Sequence, residues 1–410
     1  MSDERFGPEH PEWSARLRNA RDHLLPWIAR TVPLGGATVL EYGCGQGAVS
    51  CAFAPLVGRH IGVDIDAEAV AQARFRAARR GLENVDLRVV PATEIVDHVR
   101  AIGERIDVVL LYAVVEHLTL DERLAVLAAA RDVVAPDGHV VVAELPNRLT
   151  PVDHHSAQMA YVDALPDDVL VRYADRSGRR EFADAIAEAV AEGPDAARLA
   201  AARWGRGVSF HEFELVFGDL AERTVASGYA AELYPARPVR LEELQLQASF
   251  DAWRPDLPPA WSRSWIDTIL AARPVADRPP LVRPWRMRID RDAAGAAWMR
   301  DDGRLVLAPG VRFPLRFPVA TSELHVGFVA ATDPAHALQV HVDGRTLPAP
   351  AVPNHVGIPP WHAALALPRP SEQVEVSLVG GGELTFVGYA AACGAATGVG
   401  DPGASRHHGW

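Results

Sequence analysis

The sequence contains no lysine: all 41 of its basic residues are arginine. A lysine Schiff base and a lysine general base are therefore excluded. In a chain this rich in alanine, arginine and proline, the absence reads as coding bias rather than as a functional device. Cysteine is scarce too, and Cys44, Cys51 and Cys393 have neither metal-ligand nor disulfide spacing. No apolar run approaches the roughly 18–20 residues of a membrane span, so no membrane partner is expected. The polar, acidic start MSDERFGPEH does not read as a signal peptide, and the expected location is cytoplasmic and reducing. Positive charge is in deficit: a net charge of −12 argues against a general nucleic-acid or anionic-membrane binder.

What remains is ordinary globular material, 49% hydrophobic and 23% charged over 410 residues, enough for roughly two or three domains. Trp13, Leu17, Ala20, Leu24 and Ile28 recur at helical spacing and predict a helix over 11–32. Strands and helices then alternate. ATVLEYG is a first strand, followed by a glycine turn and a helix over about 47–57. HIGVD (60–64), VDLRVV (85–90), IDVVLLYAV (106–114) and GHVVVAEL (138–145) supply four more strands. Helices are expected over about 67–80, between Asp66 as N-cap and Gly81 as C′ residue, and over about 120–134. Continuous Val/Ile/Leu strands separated by helices predict a parallel sheet covered on both faces, wound in the right-handed sense.

Beyond residue 146 the texture changes. The Ala-rich stretch to about 205 reads as helical, and Ser209 with Glu212 matches a capping box that opens a helix over about 210–226. GYAAELY (228–234) is expected to return to the sheet, and helices are expected at 240–252 and 260–272. A proline-rich linker is placed at 276–287. From there the period switches to two: Leu324, Val326 and Phe328, then Leu338, Val340 and Val342, then Val374, Val376 and Leu378. Asp343-Gly344 is a hairpin signal. Residues 288–392 are thus expected to form an antiparallel β-sandwich, with 393–410 as a flexible tail.

The stretch VLEYGCGQGAVS carries the most chemistry. Glycines at 43, 45 and 47, between a strand and a helix, let the chain turn sharply and let a ligand approach the main chain. Gly43, Gly45 and Ala48 also satisfy a dinucleotide-type pattern, so the glycines alone leave a dehydrogenase open. Glu41 argues against a pyrophosphate and for a ligand carrying an ammonium group. Asp64, at the end of the second strand, is placed to accept ribose hydroxyls. A ligand with a ribose, no phosphate and a cationic amino-acid end meets both acids, and S-adenosylmethionine is such a ligand.

With these residues in view, residues about 36–146 resemble a class I SAM-dependent methyltransferase of the ubiquinone-biosynthesis-like group. VLEYGCGQG resembles the first motif of that group, GVDID the second, and IDVVLLYAVVEHL with APDGHVVVAELPN the fourth and fifth strand segments. The resemblance implies a doubly wound Rossmann-like methyltransferase sheet; joined to the helical stretch and the period-two region, it gives an expected fold of class α/β with a helical insertion or lid and a C-terminal antiparallel β-sandwich. It also implies a SAM-binding core over 1–150 and an acceptor-binding or lid region over 151–275, with part of the sheet returning near 207–235. Gly43, Gly45 and Gly47 would pass under the methionine moiety beside Glu41, Asp64 and the adjoining Ile65 would hold the nucleoside, and Tyr112 would sit beside the sulfonium. The group usually has an acid for the adenine amino group after the third strand. Here Ala92 stands at that position, leaving the adenine to main chain, Thr93 or Glu94.

Methyl transfer to oxygen needs a positioned acceptor and one proton removed. PNRLTPVDHHSA leaves the fifth strand at its C-terminal end, and with the downstream LPDDVLVRYADRSGRR it resembles a subset of these enzymes with a Pro-Asn-Arg-Leu segment and an Asp-x-His. On that pattern Asp153 and His155 match, with His155 as base and Asp153 orienting it. His117 is a further substrate-side base candidate or a turn residue, while His211 and Glu212 read as helix capping. A metal site from Asp153, His154 and His155 lacks ligand spacing, so no metal is assigned. The expected function is SAM-dependent O-methylation of a small-molecule or glycan acceptor in a biosynthetic pathway, with oligomeric state open. Trp285, Trp298 and Trp361 are candidate sugar platforms or core residues. The alternatives are a non-catalytic SAM- or partner-binding protein working through the β-domain, and an N- or C-methyltransferase.

Overall fold

A computed structural model describes residues 11–228, 246, 249–250, 253–254 and 256–276. In the C-terminal part it describes 282–286, 297–299, 305–307, 311–330, 338–349, 351–353, 361–379 and 384–394. The chain separates into two compact units, with the change-over at Arg278 and Pro279.

The first unit is built on a seven-stranded sheet in the order β3-β2-β1-β4-β5-β7-β6. Its strands are β1 (Thr38–Tyr42), β2 (Arg59–Asp64), β3 (Val85–Val89), β4 (Ile106–Tyr112), β5 (Val134–Pro146), β6 (Thr224–Ser227) and β7 (Trp265–Ala271). The first five run parallel, and β7 lies antiparallel between β5 and β6. Alternate residues of the central strands face two separate cores. Leu40, Tyr42, Val109, Leu111, Val140 and Val142 enter one, and Val39, Val108, Leu110, Tyr112, Val141 and Ala143 the other. Both faces are buried, which explains why the strands read as unbroken apolar runs. The strand order reverses between β1 and β4, and in such sheets ligands bind beyond the carboxyl ends of the strands at that reversal.

Helices α1 (Pro11–Asn19) and α2 (Leu25–Ala29) are joined through a π-helical turn at Ala20–Leu24, within the span predicted as one helix. α3 (Ala48–Phe53), α4 (Ala67–Arg79), α5 (Ile95–Arg100) and α6 (Leu120–Val133) follow the parallel strands. The Asp66 side chain accepts from the Glu68 and Ala69 N–H groups at the start of α4, and a cap of this kind is worth about 1 kcal/mol. α6 opens on a capping box of Thr119 and Glu122. The insertion is helical as predicted, with α7 (Asp167–Tyr173), α8 (Arg180–Glu192), α9 (Pro194–Gly205), α10 (Phe210–Phe217) and α11 (Leu220–Arg223).

Two expectations are corrected in this part. The predicted helix over 210–226 breaks at Gly218, where φ is +75, and its last residues form β6. The predicted helix over 260–272 is a short 3-10 turn at Pro259–Ser262 followed by β7. Ile266, Ile269 and Leu270 are wholly buried between β5 and β6, so sheet pairing overrides the helical reading of that apolar run. β6 lies within the expected return of the sheet near 207–235, while the residues of GYAAELY from 229 on, like most of 240–252, lie outside the described residues.

The second unit is an antiparallel nine-stranded sheet, ordered β13-β12-β15-β11-β16-β10-β9, with β14 on β15 and β8 on β16. These are β8 (Val282–Arg286), β9 (Ala297–Met299), β10 (Leu305–Leu307), β11 (Arg312–Ala330), β12 (Leu338–Val342), β13 (Arg345–Pro348), β14 (Ala351–Pro353), β15 (Trp361–Leu378) and β16 (Leu384–Gly394). The antiparallel character is as predicted, and among the described residues the nine strands are linked by pairing in one sheet. Leu338, Val340, Val342, Val374, Val376 and Leu378 all enter its core. Asp343 and Gly344, both at positive φ, make the turn between β12 and β13. The expected linker contains β8, and Cys393 and Gly394 of the expected tail end β16.

Candidate functional site

Two cavities meet at Arg16 in the first unit. The first, of about 300 Å³, lies over the β1–α3 turn and is lined by Glu41, Gly43, Gly45 and Tyr112, among others. Its glycines differ in what they do. Gly43, Gly45 and Gly47 all take positive φ, at 70°, 46° and 77°. A Cβ at Gly43 would lie 2.7 Å from Val114 Cγ2, and one at Gly47 would lie 2.7 Å from Ala73 Cβ, whereas a Cβ at Gly45 would meet nothing within 4 Å. Packing against the protein therefore accounts for Gly43 and Gly47. Gly45 alone turns its open side outward.

The acids are bound more tightly into the protein than their sequence positions imply. Glu41 is buried, and its Oε2 accepts from Ser50 Oγ at 2.5 Å and from His60 Nε2 at 2.8 Å. His60 Nδ1 is buried without a partner, so the proton belongs on Nε2. Asp64 accepts from the Gly45 N–H at 2.7 Å and the Asp66 N–H at 2.9 Å, one bond to each oxygen, which clasps the glycine turn to the end of β2. Ile65 is 57% exposed beside it. Ala92 and Thr93 are also exposed, and neither they nor Ile65 line the cavity.

The roof of this cavity was not legible in the sequence. Glu12, Trp13 and Arg16 of α1 line it. Trp13 Nε1 donates to the Gln46 carbonyl at 2.9 Å, and the guanidinium groups of Arg76 and Arg80 lie 4.8 and 4.6 Å from the Trp13 ring centroid. Helical periodicity showed that Trp13 faces inward, but nothing local shows against what. At the floor, Asn19 Nδ2 donates to Tyr112 Oη at 3.2 Å and to Glu144 Oε1 at 3.0 Å. Burial, with Glu144 nearby, pushes the Tyr112 phenol well above its ordinary range, so it stays neutral. Ala113 and Glu144, at or beside the carboxyl ends of β4 and β5, take φ of +47 and +56, the kind of strained backbone that collects at binding sites.

The second cavity, of about 570 Å³, is walled by Arg16, His117, His155, Arg179, Arg203 and Trp204, with Ala200. The loop after β5 carries His155 here. Asn147 anchors that loop, donating to the Trp261 and Arg263 carbonyls at 2.8 Å each. Asp153 then holds its backbone, accepting from the N–H groups of His155, Ser156, Ala157 and Gln158 and from Ser156 Oγ. The expected bond from Asp153 to the His155 ring is thus replaced by bonds to the chain around it, because the carboxylate caps a tight turn. His155 packs instead on His117, with ring centroids 5.2 Å apart, and on Trp265. Burial and the neighbouring His117 push its pKa down to about 4, so the ring is neutral.

Glu116, absent from the candidate residues, sits behind the two histidines. Its carboxyl is fully buried with neither oxygen hydrogen-bonded, and burial raises its pKa to about 8. Arg123 locks this stretch in place, donating to the carbonyls of Glu116, Leu118, Arg206 and Gly207 and to Glu212 Oε2. No local signal marks Glu116, since VVEHL is consistent with a plain turn. The sequence reading assigned no metal, but Glu116, His117 and His155 bring ligand atoms within 4.8 Å of one another across 38 residues of chain that spacing rules cannot bridge.

The comparisons with known proteins bear on the first cavity. Residues 34–170 match the family model described as Methyltransferase domain. Over that segment the chain is similar to SAM-dependent methyltransferase domains. S-adenosylmethionine is the cofactor of such a domain. The open side of Gly45, the remaining Glu41 oxygen and the neutral Tyr112 fit its amino-acid end and sulfonium. The ubiquinone biosynthesis O-methyltransferase of Cereibacter sphaeroides (strain ATCC 17025) is 35% identical over 118 residues, which cover 29% of this chain and 45% of that protein. The enzyme of the same name from Azorhizobium caulinodans is 35% identical over 145 residues, 34% of this chain and 54% of that one. The chain thus spans about half the length of these relatives. Among solved structures, the Synechocystis magnesium protoporphyrin IX methyltransferase with bound SAH is 20% identical, at a TM-score of 0.28, over 33% of this chain and 58% of that one. Among the described residues, no helix is long and apolar enough to cross a membrane.

Proposed function

We propose that this chain transfers the methyl group of S-adenosylmethionine to an oxygen of a small-molecule or glycan acceptor held in the histidine-walled cavity. The observation that carries the proposal is the pair of adjoining cavities that share Arg16: one over the glycine turn, the other walled by His117, His155 and Trp204. The relatives named O-methyltransferases support oxygen as the atom modified.

S-adenosylmethionine supplies an electrophilic methyl group on a sulfonium. The chain's part is to bind, orient and exclude water. Glu41 and the main chain at Gly43 and Gly45 receive the amino-acid end, with Gly47 setting the turn. Asp64 keeps a lone pair on each oxygen for the ribose hydroxyls after bonding Gly45 and Asp66. Ile65 supplies an exposed apolar face for the adenine, and Ala92 and Thr93 stand at its edge. Tyr112 closes the floor beside the sulfonium without adding charge there. His155 meets the reacting hydroxyl, and Asp153 fixes the loop that presents it.

Isothermal titration with S-adenosylmethionine, followed by incubation with methyl-labelled donor and lysate split into small-molecule, glycan and macromolecular pools, tests this reading. Binding with label in the first two pools is expected. An intact fold that binds no S-adenosylmethionine, or label confined to protein or nucleic acid, overturns it.

A further inference from the structure

The chain carries a net charge of −12, yet the histidine-walled cavity is lined by Arg16, Arg179 and Arg203 and by no aspartate or glutamate. Arg203 is neutralised, its Nη1 and Nη2 donating to the Glu122 carboxylate at 2.6 and 2.7 Å. Arg16 meets Glu12 only at 3.7 Å, with both side chains more than half exposed, and an ion pair of that kind holds little. Arg179 pairs with no acid among the described residues. Glu116, behind the histidines, is raised to about 8 by burial and supplies little negative charge near neutral pH. Two uncompensated guanidinium groups therefore face the space where the acceptor lies.

Arg179 is held ready for an anion. Its Nη1 donates to the His155 carbonyl at 2.5 Å and to the Ser156 carbonyl at 3.4 Å. Its guanidinium carbon lies 4.9 Å from the Trp204 ring centroid, and Phe182 packs edge-on against the same indole. The side chain is thus fixed from one end and one face, while Nε and Nη2 donate to nothing among the described residues. Two parallel N–H donors of this kind form the fork that grips a carboxylate or a phosphate by two oxygens.

The same two arginines act on the base. Burial and His117 push the His155 ring down to about 4, and Arg179 and Arg16 push the same way against Asp153. An anion seated on the two guanidinium groups cancels their part and returns the imidazole toward the range in which it takes a proton. A neutral acceptor leaves it depressed and a weaker base. The cavity, of about 570 Å³, has room for a small molecule that reaches from the arginines to His155.

We propose that the methyl acceptor is an acid: a hydroxylated small molecule or sugar whose carboxylate or phosphate is bound by Arg179 and Arg16 while its hydroxyl lies at His155. The proposal rests on methyl transfer to oxygen and narrows that reading to one class of substrate. Trp204, in the same wall, gives an apolar surface to the ring or chain that carries the acid. Arginines gathered in a cavity draw in an anion that the acidic chain as a whole repels.

Small molecules of a lysate, split on an anion exchanger into an anionic and a non-anionic pool, are incubated with the full chain and methyl-labelled S-adenosylmethionine. Label is expected in the anionic pool. Phosphatase treatment of that pool beforehand abolishes labelling of a phosphate ester and leaves that of a carboxylic acid. Arg179→Met is expected to raise the amount of pool needed for half-maximal labelling about ten- to a hundredfold, with S-adenosylmethionine affinity and thermal midpoint retained. Arg16→Met should raise it less, and Arg179→Lys should recover part of the loss. Ligand-detected NMR with benzoate and its neutral counterpart benzamide reads the site without turnover. Wild type is expected to prefer benzoate about tenfold or more, and Arg179→Met to lose the preference. If the non-anionic pool is labelled as strongly as the anionic one, or wild type shows no preference for benzoate, the acid site is wrong and the methyltransferase reading stands. A preference for benzoate in a chain that binds no S-adenosylmethionine, or labels neither pool, overturns the methyltransferase reading alone.

Discussion

The two cavities that meet at Arg16 are built on opposite principles. Around the glycine turn, the polar groups are already satisfied by the protein: Glu41 by Ser50 and His60, Asp64 by the Gly45 and Asp66 amides. That side is rigid and preformed, and its ligand adds to a finished hydrogen-bond set. The histidine side holds a buried carboxyl with no partner and two neutral imidazoles facing one another. Its hydrogen-bond set is unfinished, and an unsatisfied buried group has the most to gain from whatever binds. The comparison separates a cavity whose acids are already hydrogen-bonded from one that holds a buried carboxyl without a hydrogen bond.

The contrast is best broken at its strongest joint. Arg123→Met removes the guanidinium that ties Glu116 and Leu118 to Arg206 and Gly207 and strands Glu212. A loss of about 3–5 kcal/mol is expected in urea unfolding. A loss below 1 kcal/mol would mean the histidine wall is held by something else. On the other side, Gly47→Ala forces a left-handed φ onto a Cβ that meets Ala73, and a loss of about 3 kcal/mol is expected. Gly45→Ala, with open space, should instead cost about 1 kcal/mol of stability and show its effect in S-adenosylmethionine titration. Equal stability losses would erase the distinction drawn between these glycines.

Gly205→Ala pushes on the His155 ring. Labelled-methyl turnover is expected to fall about a hundredfold with S-adenosylmethionine affinity retained. Asp64→Ala should do the converse, weakening S-adenosylmethionine about tenfold by calorimetry through loss of charged hydrogen bonds. The smallest effect is expected from Glu122→Gln. Arg203 and the Thr119 cap hold the Glu122 carboxyl down to about 2, below its ordinary 4.5, so the ionised form favours the fold. Its contribution, under about 1 kcal/mol for so exposed a pair, is present above pH 4.5 and fades as pH falls toward 2. Urea midpoints of wild type and variant should therefore differ near neutral pH and converge in acid. A pH-independent difference would assign the effect to packing.

Much of the first unit was legible because local signals and tertiary structure agree there. The five parallel strands lie where the apolar runs stand, and Asp66 and Ser209 cap or box their helices. The misreading at 260–272 has a definite cause. WSRSWIDTIL offers apolar spacing that suits a helix or a buried strand, and only its place between β5 and β6 decides. Three glycines in a row of alternate positions suggested one ligand, yet two of them answer to Val114 and Ala73. Asp153 and His155 were found together but joined through backbone rather than ring, which no spacing distinguishes.

The residues by themselves determined the parallel sheet, its glycine turn and the acids at the ends of β1 and β2, because each depends on neighbours within a few positions or on strand periodicity. The antiparallel habit of residues beyond 311 followed in the same way from a period of two. Tertiary structure alone decided that α1 roofs the first cavity, that Gly205 clears space for His155, and that Glu116 meets two histidines. These contacts join residues dozens to about a hundred positions apart, and what brings them together is the burial of whole helices and strands, a quantity no short window of sequence contains.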